Sequence, residues 1–182
     1  MKEDFDNLPL TYALNKQDKI VYIEDVRRGR ACGCRCPFCE EPLDAKKGYG
    51  GHVPHFAHQN NKKCKKAYMT ALHMLAEQII EEEKAVMVPA YKEIDTKKLS
   101  FKDVEVERLK ERRDLQPDIV DVSEDDLRWA IEIRNTHEIN PPKLNKILES
   151  KISCLEIDVW GQTFGNLRTF LLDSSDFRKW VK

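Results

Sequence analysis

The sequence predicts an α+β or α/β protein in two parts, a small metal-binding module and a mixed sheet flanked by helices. Cysteine and histidine residues are concentrated between residues 36 and 64, at the spacing that metal ligands use. Apolar residues then recur at helical spacing over residues 67–83. From that helix onward the predicted order is helix, strand, strand, strand, helix, strand. We therefore expect the module at residues 1–66 and the core at residues 67–182.

Four side chains in the first part have the spacing of a zinc site. Cys36 and Cys39 form a C-x2-C knuckle, which offers two thiolates from one tight turn. After eighteen further residues, His58 and Cys64 supply a second pair of ligands. His55 is an alternative to His58, and we favour His58 because it leaves five residues for the return to Cys64. The pattern predicts a zinc-ribbon-like module that folds around a metal ion.

The cysteines indicate metal binding rather than disulfides. The first ten residues, MKEDFDNLPL, are charged and predict no signal peptide, and no stretch reaches the ~20 apolar residues that span a membrane. We therefore expect a protein of the reducing cytoplasm, with no membrane partner. Cys154 lies in an apolar run and is predicted to be a buried core thiol. Cys32 and Cys34 fit a strand better than a ligand set, because zinc needs only four donors.

Basic residues are concentrated in the metal-binding part. Residues 27–66 hold ten Lys or Arg against three Asp or Glu, whereas residues 67–182 hold 18 against 23. A basic module could bind phosphates, and the alternative is a solvated lysine-rich surface. The residues that we expect to contact a nucleic-acid backbone are Arg35, Lys62, Lys63, Lys65, Lys66 and Lys143.

Local patterns predict the remaining elements. Residues 8–24 alternate apolar and polar around an NKQD break and suit a β-hairpin, and GYGG at 48–51 suits a turn. Strands are predicted within AVMVPAY, LSFKDVEVERL, PDIVDV, LRWAIEIRNT and ISCLEIDVW. A helix is predicted for KLNKILESK, which follows two prolines. TFLLD fits either a strand or a helix start. SSDFRKWVK is predicted to be a terminal helix capped by Ser174 or Ser175.

Asp118 and Glu132 are the two carboxylates best placed for chemistry. Asp118 follows a proline at the head of one predicted strand, and Glu132 lies within the next strand, beyond a tight turn. Antiparallel pairing would bring the acids close together, with Glu132 and Arg134 on one face by the period of two. Burying Glu132 among apolar residues is costly unless it is paired or holds a metal ion. The alternative is that Glu132 faces solvent while its apolar neighbours pack inward.

The spacing P-D-x13-E-x-R is the outline of a PD-(D/E)xK nuclease core, with Arg134 where lysine is usual. Two converging acids can hold Mg²⁺ or Mn²⁺, activate a water molecule as nucleophile and stabilise charge on a phosphate under in-line attack. Arg134 would neutralise the phosphate or orient the water. The pattern predicts hydrolysis of phosphodiester bonds, with Asp118, Glu132 and Arg134 as candidate catalytic residues.

Taken together, these segments resemble the competence protein CoiA-like family, in which a small zinc-binding region precedes a restriction-endonuclease-like core. The similar stretches are CGCRCPFCEEPL, HFAHQNNKKC, TALHMLAEQII, PDIVDV, AIEIRNTHEI and LEIDV, spread in order over residues 31–160. The resemblance implies a role in processing or binding DNA, with zinc as a structural ion and a divalent metal at the acids. By matching position, the implied zinc ligands are Cys36, Cys39, His58 and Cys64, and the implied Mg or Mn ligands are Asp118 and Glu132.

Similar sequences also carry a T-H pair after the second acid, which here is Thr136 and His137. His137 is thus a candidate phosphate contact or general acid, and the alternative is a histidine that merely ends the strand.

Several positions depart from the pattern of similar sequences. Their first helix often reads E-x3-H-x3-K, and the corresponding residues here are Met69, His73 and Glu77, which share one helix face. Arg134 replaces the usual Lys or Gln, and an arginine can clamp a phosphate but cannot shuttle a proton. Lys143, at the next helix start, could take the place of the missing lysine, and the alternative is a surface lysine.

Two classes of function follow from these residues. Asp118 and Glu132 favour a metal-dependent DNA nuclease. Met69 and Glu77 favour a catalytically inactive protein of the same fold that binds DNA or RNA, or serves as an adaptor for protein partners.

Overall fold

The computed structural model describes residues 8–60, 62–92, 95–106, 117–121, 129–135, 141–149 and 152–181. The chain divides into two compact units, Met1–Leu75 and Ala76–Lys182. The fold mixes helices and strands, in agreement with the α+β alternative of the predicted fold class.

Two antiparallel hairpins form most of the first unit. β1 (Tyr12–Leu14) pairs with β2 (Ile20–Tyr22), in agreement with the alternation over residues 8–24, and β3 (Leu43–Lys46) pairs with β4 (His55–His58). Asn15 closes the first hairpin, because its Oδ1 accepts hydrogen bonds from the backbone N–H groups of Gln17 and Lys19. Short 3-10 turns at Ile23–Asp25 and Arg30–Cys32 lead to the knuckle.

A small core cluster joins the hairpins and the knuckle of the first unit. Its buried members are Ala13, Ile23, Cys34, Cys36, Leu43, Ala45, Phe56 and Ala67. Phe56 is the only aromatic side chain among them, so the core is modest. A core of this size rarely supplies more than about 3–5 kcal/mol of stability, and natural modules of this kind usually add a metal ion or disulfides. The six cysteines of the chain are all free thiols.

The second unit contains a five-stranded mixed sheet. Its strands are β7 (Val104–Val106), β8 (Ile119–Asp121), β9 (Trp129–Arg134), β10 (Ser153–Asp158) and β11 (Arg178–Trp180), in the spatial order β11-β10-β9-β8-β7. β9 and β10 are parallel, and the other neighbours are antiparallel. Parallel neighbours need a crossover, and α2 (Pro141–Glu149) lies between these two strands in the sequence.

The remaining described elements are two helices and a third hairpin. α1 (Ala67–Glu83) has the bounds that the apolar periodicity predicts, and it is followed by the antiparallel pair β5 (Ala85–Val88) and β6 (Lys97–Ser100). α3 (Leu167–Asp173) resolves the ambiguity of TFLLD in favour of a helix. Within the described ranges, no helix is long and apolar enough to cross a bilayer.

The predicted terminal helix over SSDFRKWVK is wrong. The segment turns at Ser174, whose Oγ accepts a hydrogen bond from the N–H of Asp176, and then forms β11. β11 pairs antiparallel with β10 and places Trp180 opposite Leu155. Pairing with the edge of a sheet therefore outweighs the weak helical pattern of this short segment.

Trp180 is expected to anchor the edge of the sheet. Its ring stacks on Tyr91 at a centroid distance of 4.6 Å and lies 5.1 Å from the ring of Trp129, and its Nε1–H donates to Pro89 O at 3.2 Å. Trp180→Ala should lower the free energy of unfolding by about 2–3 kcal/mol, less than the 3–5 kcal/mol of a fully buried aromatic side chain. Urea unfolding followed by circular dichroism measures this loss. Trp160→Ala, at a site that is 42% exposed, is the matched control and should change stability by less than about 0.5 kcal/mol.

Candidate functional site

Four side chains from three segments of the first unit meet in one cluster. Cys36 and Cys39 come from the knuckle, His58 ends β4, and Cys64 lies three residues before α1. The knuckle turns tightly because the N–H of Glu40 donates to Cys36 O and Glu40 has a φ of 60°. One ligand atom from each of the four side chains lies within 4.8 Å of the others.

The donor set and the distances suit a tetrahedral metal ion. The Cys36 and Cys64 Sγ atoms are 3.9 Å apart, and Cys39 Sγ lies 3.2 Å from His58 Nε2. Four donors at zinc bond lengths of about 2.0–2.3 Å are separated by roughly 3.3–3.8 Å in a tetrahedron. A cluster of three cysteines and one histidine could therefore bind a metal such as zinc.

Burial controls the protonation of these ligands. Burial raises the pKa of the Cys36 thiol to about 12, and burial also raises the pKa of Cys64. The raised pKa values favour the protonated thiols. A divalent cation would favour the thiolates instead, since metal binding requires the deprotonated form. Burial lowers the pKa of His58, which favours the neutral imidazole that a metal needs.

The other candidates in the first unit lie outside the cluster. His55 and His58 are three residues apart on β4, so they point to opposite faces of the strand, and His55 Nδ1 instead donates to Val53 O at 2.9 Å. Cys32 ends a 3-10 turn rather than lying in a strand, and its Sγ donates to Leu43 O at 3.3 Å. Cys34 is buried in the core. The geometry therefore distinguishes His58 from His55.

In the second unit, the pairing of β8 with β9 sets the two predicted acids opposite each other. Ile119 pairs with Ile131 and Val120 with Ala130, and the next position in this antiparallel register matches Asp118 with Glu132. Glu132 is only 5% exposed, so the alternative in which it faces solvent is wrong. The N–H of Ile133 donates to Asp118 Oδ2 at 2.7 Å and holds that carboxylate beside β9.

Lys143 joins the two acids. Its Nζ lies 2.7 Å from Glu132 Oε2 and 3.3 Å from Asp118 Oδ1, and its side chain is 14% exposed. The structure therefore places Lys143 inside this site rather than on the solvated surface of α2. Burial lowers the pKa of Lys143, but the carboxylates of Asp118 and Glu132 outweigh burial and raise the pKa overall. These two contacts therefore favour the charged form of Lys143.

Glu77 is the functional candidate that the sequence analysis underestimated. It is 6% exposed on α1, and a carboxylate oxygen of Glu77 lies within 4.8 Å of one of Asp118. Two oxygens that bind one Mg²⁺ or Mn²⁺ ion at about 2.1 Å each can be no farther apart than roughly 4.2 Å, so only a small adjustment would be needed. The sequence feature that could have identified Glu77 is its position one helical turn after His73, on the same face of a predicted helix.

Arg134 contacts the acids of the neighbouring strand. Its Nε lies 3.5 Å from Glu156 Oε1, and its guanidinium group forms an ion pair with Asp158. Glu156 is the parallel register partner of Glu132 and is 3% exposed, and Lys179 Nζ lies 3.1 Å from its Oε1. Arg134 therefore compensates buried charge on β10.

The predicted phosphate contacts in the first unit are mostly engaged locally. Arg35 forms an ion pair with Asp18, Lys62 Nζ lies 3.2 Å from Glu41 Oε1, and Lys66 Nζ lies 5.3 Å from the ring centre of Phe38. Lys63 and Lys65 are exposed. Thr136 and His137 lie outside the described residues, so their predicted roles stay predictions.

Residues 16–67 match the family model described as Competence protein CoiA, N-terminal domain. The match contains all four residues of the cysteine–histidine cluster. It confirms the resemblance for the first part of the chain, and the nuclease core stays a prediction. No curated protein and no solved structure matches the chain.

Proposed function

Since the chain is CoiA-like in its N-terminal domain, we propose that it is a DNA-processing protein that hydrolyses phosphodiester bonds with a divalent metal ion. The observation that carries the proposal is the meeting of Glu77, Asp118, Glu132 and Lys143 in the second unit. Buried acids cost free energy unless they are compensated, and such groups are concentrated where chemistry is performed.

The order of elements from α1 onward supports the same proposal. A helix, three consecutive antiparallel strands, a helix and a parallel strand follow one another as α1, β7, β8, β9, α2 and β10. This is the order of elements expected for a PD-(D/E)xK core, with the β5–β6 hairpin inserted after α1. Asp118 immediately precedes β8 and Glu132 lies within β9, as that motif requires.

Each side chain then has a proposed role. Asp118, Glu132 and Glu77 would hold Mg²⁺ or Mn²⁺, which activates water and stabilises charge on the phosphate. Lys143 would neutralise the attacked phosphate, taking the role that the sequence pattern assigns to the residue at position 134. Arg134 would hold β10 against β9 and keep Glu132 in place, so it acts by positioning.

Nucleic-acid binding without cleavage is the second candidate function. One observation favours it, namely that Lys143 already neutralises Asp118 and Glu132 in the structure. A lysine that stays between the acids would reduce their attraction for a metal ion. In that case the basic first unit would bind the nucleic acid through contacts to its phosphate backbone.

A cleavage assay distinguishes the two functions. Full-length protein is incubated with supercoiled plasmid and with circular single-stranded DNA, in Mg²⁺ or Mn²⁺. We expect cleavage by the wild type and a loss of at least ~100-fold in Glu132→Gln, as when other preorganised charged or polar groups are removed from active sites. The matched control is Glu105→Gln, at an exposed position on β7, which should cleave normally. Intact DNA with wild-type protein that still binds it would establish the second function instead.

A further inference from the structure

The first unit contains a basic cavity that lies apart from the cysteine–histidine cluster. Its volume is about 540 Å³, and it opens beside the loop between β3 and β4. The side chains that line it are Arg28, Lys46, Lys47, Tyr49, His52 and His55. We propose that this cavity binds single-stranded nucleic acid, with one base stacked on Tyr49 and the flanking phosphates on Arg28 and Lys46.

The loop geometry presents Tyr49 to solvent. Gly48, Gly50 and Gly51 have φ values of 69°, 62° and 88°, which side chains rarely tolerate. A Cβ on Gly48 would lie 2.3 Å from His52 O, so only glycine fits there. Tyr49 is 85% exposed, the largest exposure among the large apolar and aromatic side chains in the described part of the chain. An aromatic ring held in this way is a ready stacking surface for a base.

The charges around the ring favour a polyanion. Within the described residues Arg28 forms no ion pair, so its guanidinium group is available for a phosphate. Lys46 is half exposed, and its Nζ lies 3.3 Å from a carboxylate oxygen of the less exposed Asp44. Lys47 is held more firmly, because its Nζ donates to Glu24 O at 2.7 Å. The cavity therefore offers two accessible cationic side chains, Arg28 and Lys46, beside a third, Lys47, that is held by a hydrogen bond.

A single strand fits these features better than a duplex. Stacking on an exposed ring needs an unpaired base whose face is accessible, and bases in a duplex already stack on each other. The cationic side chains that line the same cavity as the ring can hold the phosphates of the strand whose base stacks there. The cavity shares no residue with the carboxylates of the second unit, so the inference adds a binding site to the proposed function without depending on hydrolysis.

The test is fluorescence anisotropy with the full-length, zinc-loaded protein and no added Mg²⁺ or Mn²⁺. Labelled dT20, rU20 and a 20-base-pair duplex are the probes. Tyr49→Ala should weaken binding of at least one single strand about tenfold, as stacking on one aromatic ring predicts, while Tyr49→Phe stays within about twofold of wild type. Duplex binding should change less than about twofold in both variants. Trp160→Ala, at another exposed aromatic ring, is the matched control.

Charge is tested separately. Arg28→Gln should reduce the slope of log Kd against log salt concentration by about one, whereas Arg27→Gln, an exposed neighbour outside the cavity, should change it less. Unchanged single-strand binding in Tyr49→Ala overturns the proposal. Equal losses of affinity for the single strands and the duplex also overturn it. A wild-type protein that binds none of the probes overturns it as well and would point to a protein ligand. The assay contains no divalent metal ion and measures binding alone, so failure of hydrolysis and failure of this site can be told apart.

Discussion

Replacing Cys36 with serine is expected to unfold the first unit and abolish zinc binding by the cysteine–histidine cluster. Cys36 is fully buried and belongs both to the core and to the cysteine–histidine cluster. Structural zinc contributes about 10–16 kcal/mol in finger peptides, more than the small core of this unit can supply. Metal analysis should fall from about one zinc per chain to none, and limited proteolysis should cut the first unit while the second stays intact.

The matched control for this experiment is Cys32→Ser. Cys32 Sγ donates to Leu43 O from outside the cluster, and a serine hydroxyl can make the same hydrogen bond. We expect this variant to keep its zinc and its resistance to protease. A wild-type protein that is folded but contains no zinc, or a Cys36→Ser protein that retains it, would contradict the structural role of the metal.

The second large effect is expected at Lys143. Methionine has a side chain of nearly the same length as lysine but no charge. In Lys143→Met, Asp118 and Glu132 therefore lose the cation that both contact. Removing one partner of a buried ion pair costs about 3–5 kcal/mol because the remaining charge stays buried. Urea unfolding should show this loss, and cleavage should fall at least ~100-fold. Lys146→Met on the exposed face of α2 is the matched control and should change neither.

A double variant separates stability from catalysis. Adding Glu132→Gln to Lys143→Met removes one of the two buried negative charges, so part of the lost stability should return. Activity should not return, because both proposed catalytic groups are then absent. If Lys143→Met is as stable as wild type, the contacts of Lys143 with the acids carry no net stability. If the double variant cleaves DNA, Lys143 and Glu132 have no part in the chemistry.

Sequence reasoning worked where the pattern is local or the element is long. The apolar residues of α1 repeat over seventeen residues, so both of its ends were predictable. Asp118 and Glu132 lie on neighbouring strands joined by a short connection, and antiparallel pairing then makes them neighbours. The cysteine–histidine cluster was equally accessible, because ligand spacing is itself a local pattern.

Features that depend on tertiary pairing were not accessible in the same way. β11 is only three residues long, and only its pairing with β10 makes it a strand. The burial of Lys143 depends on where α2 packs, which no periodicity of its nine residues reveals. Glu77 was visible in the sequence only as a change of charge on a helix. Its proximity to Asp118 joins residues forty-one positions apart.

The position of Cys154 has a practical consequence. It is the one cysteine in the sequence after residue 75, it lies on β10 with no exposed surface, and burial raises its pKa. Alkylating reagents attack thiolates that they can reach, so this sulfur should react only when the five-stranded sheet opens. The rate at which Cys154 is alkylated, followed by mass spectrometry, would therefore measure the opening of the second unit. It needs no introduced label and is independent of the cysteines in the first unit.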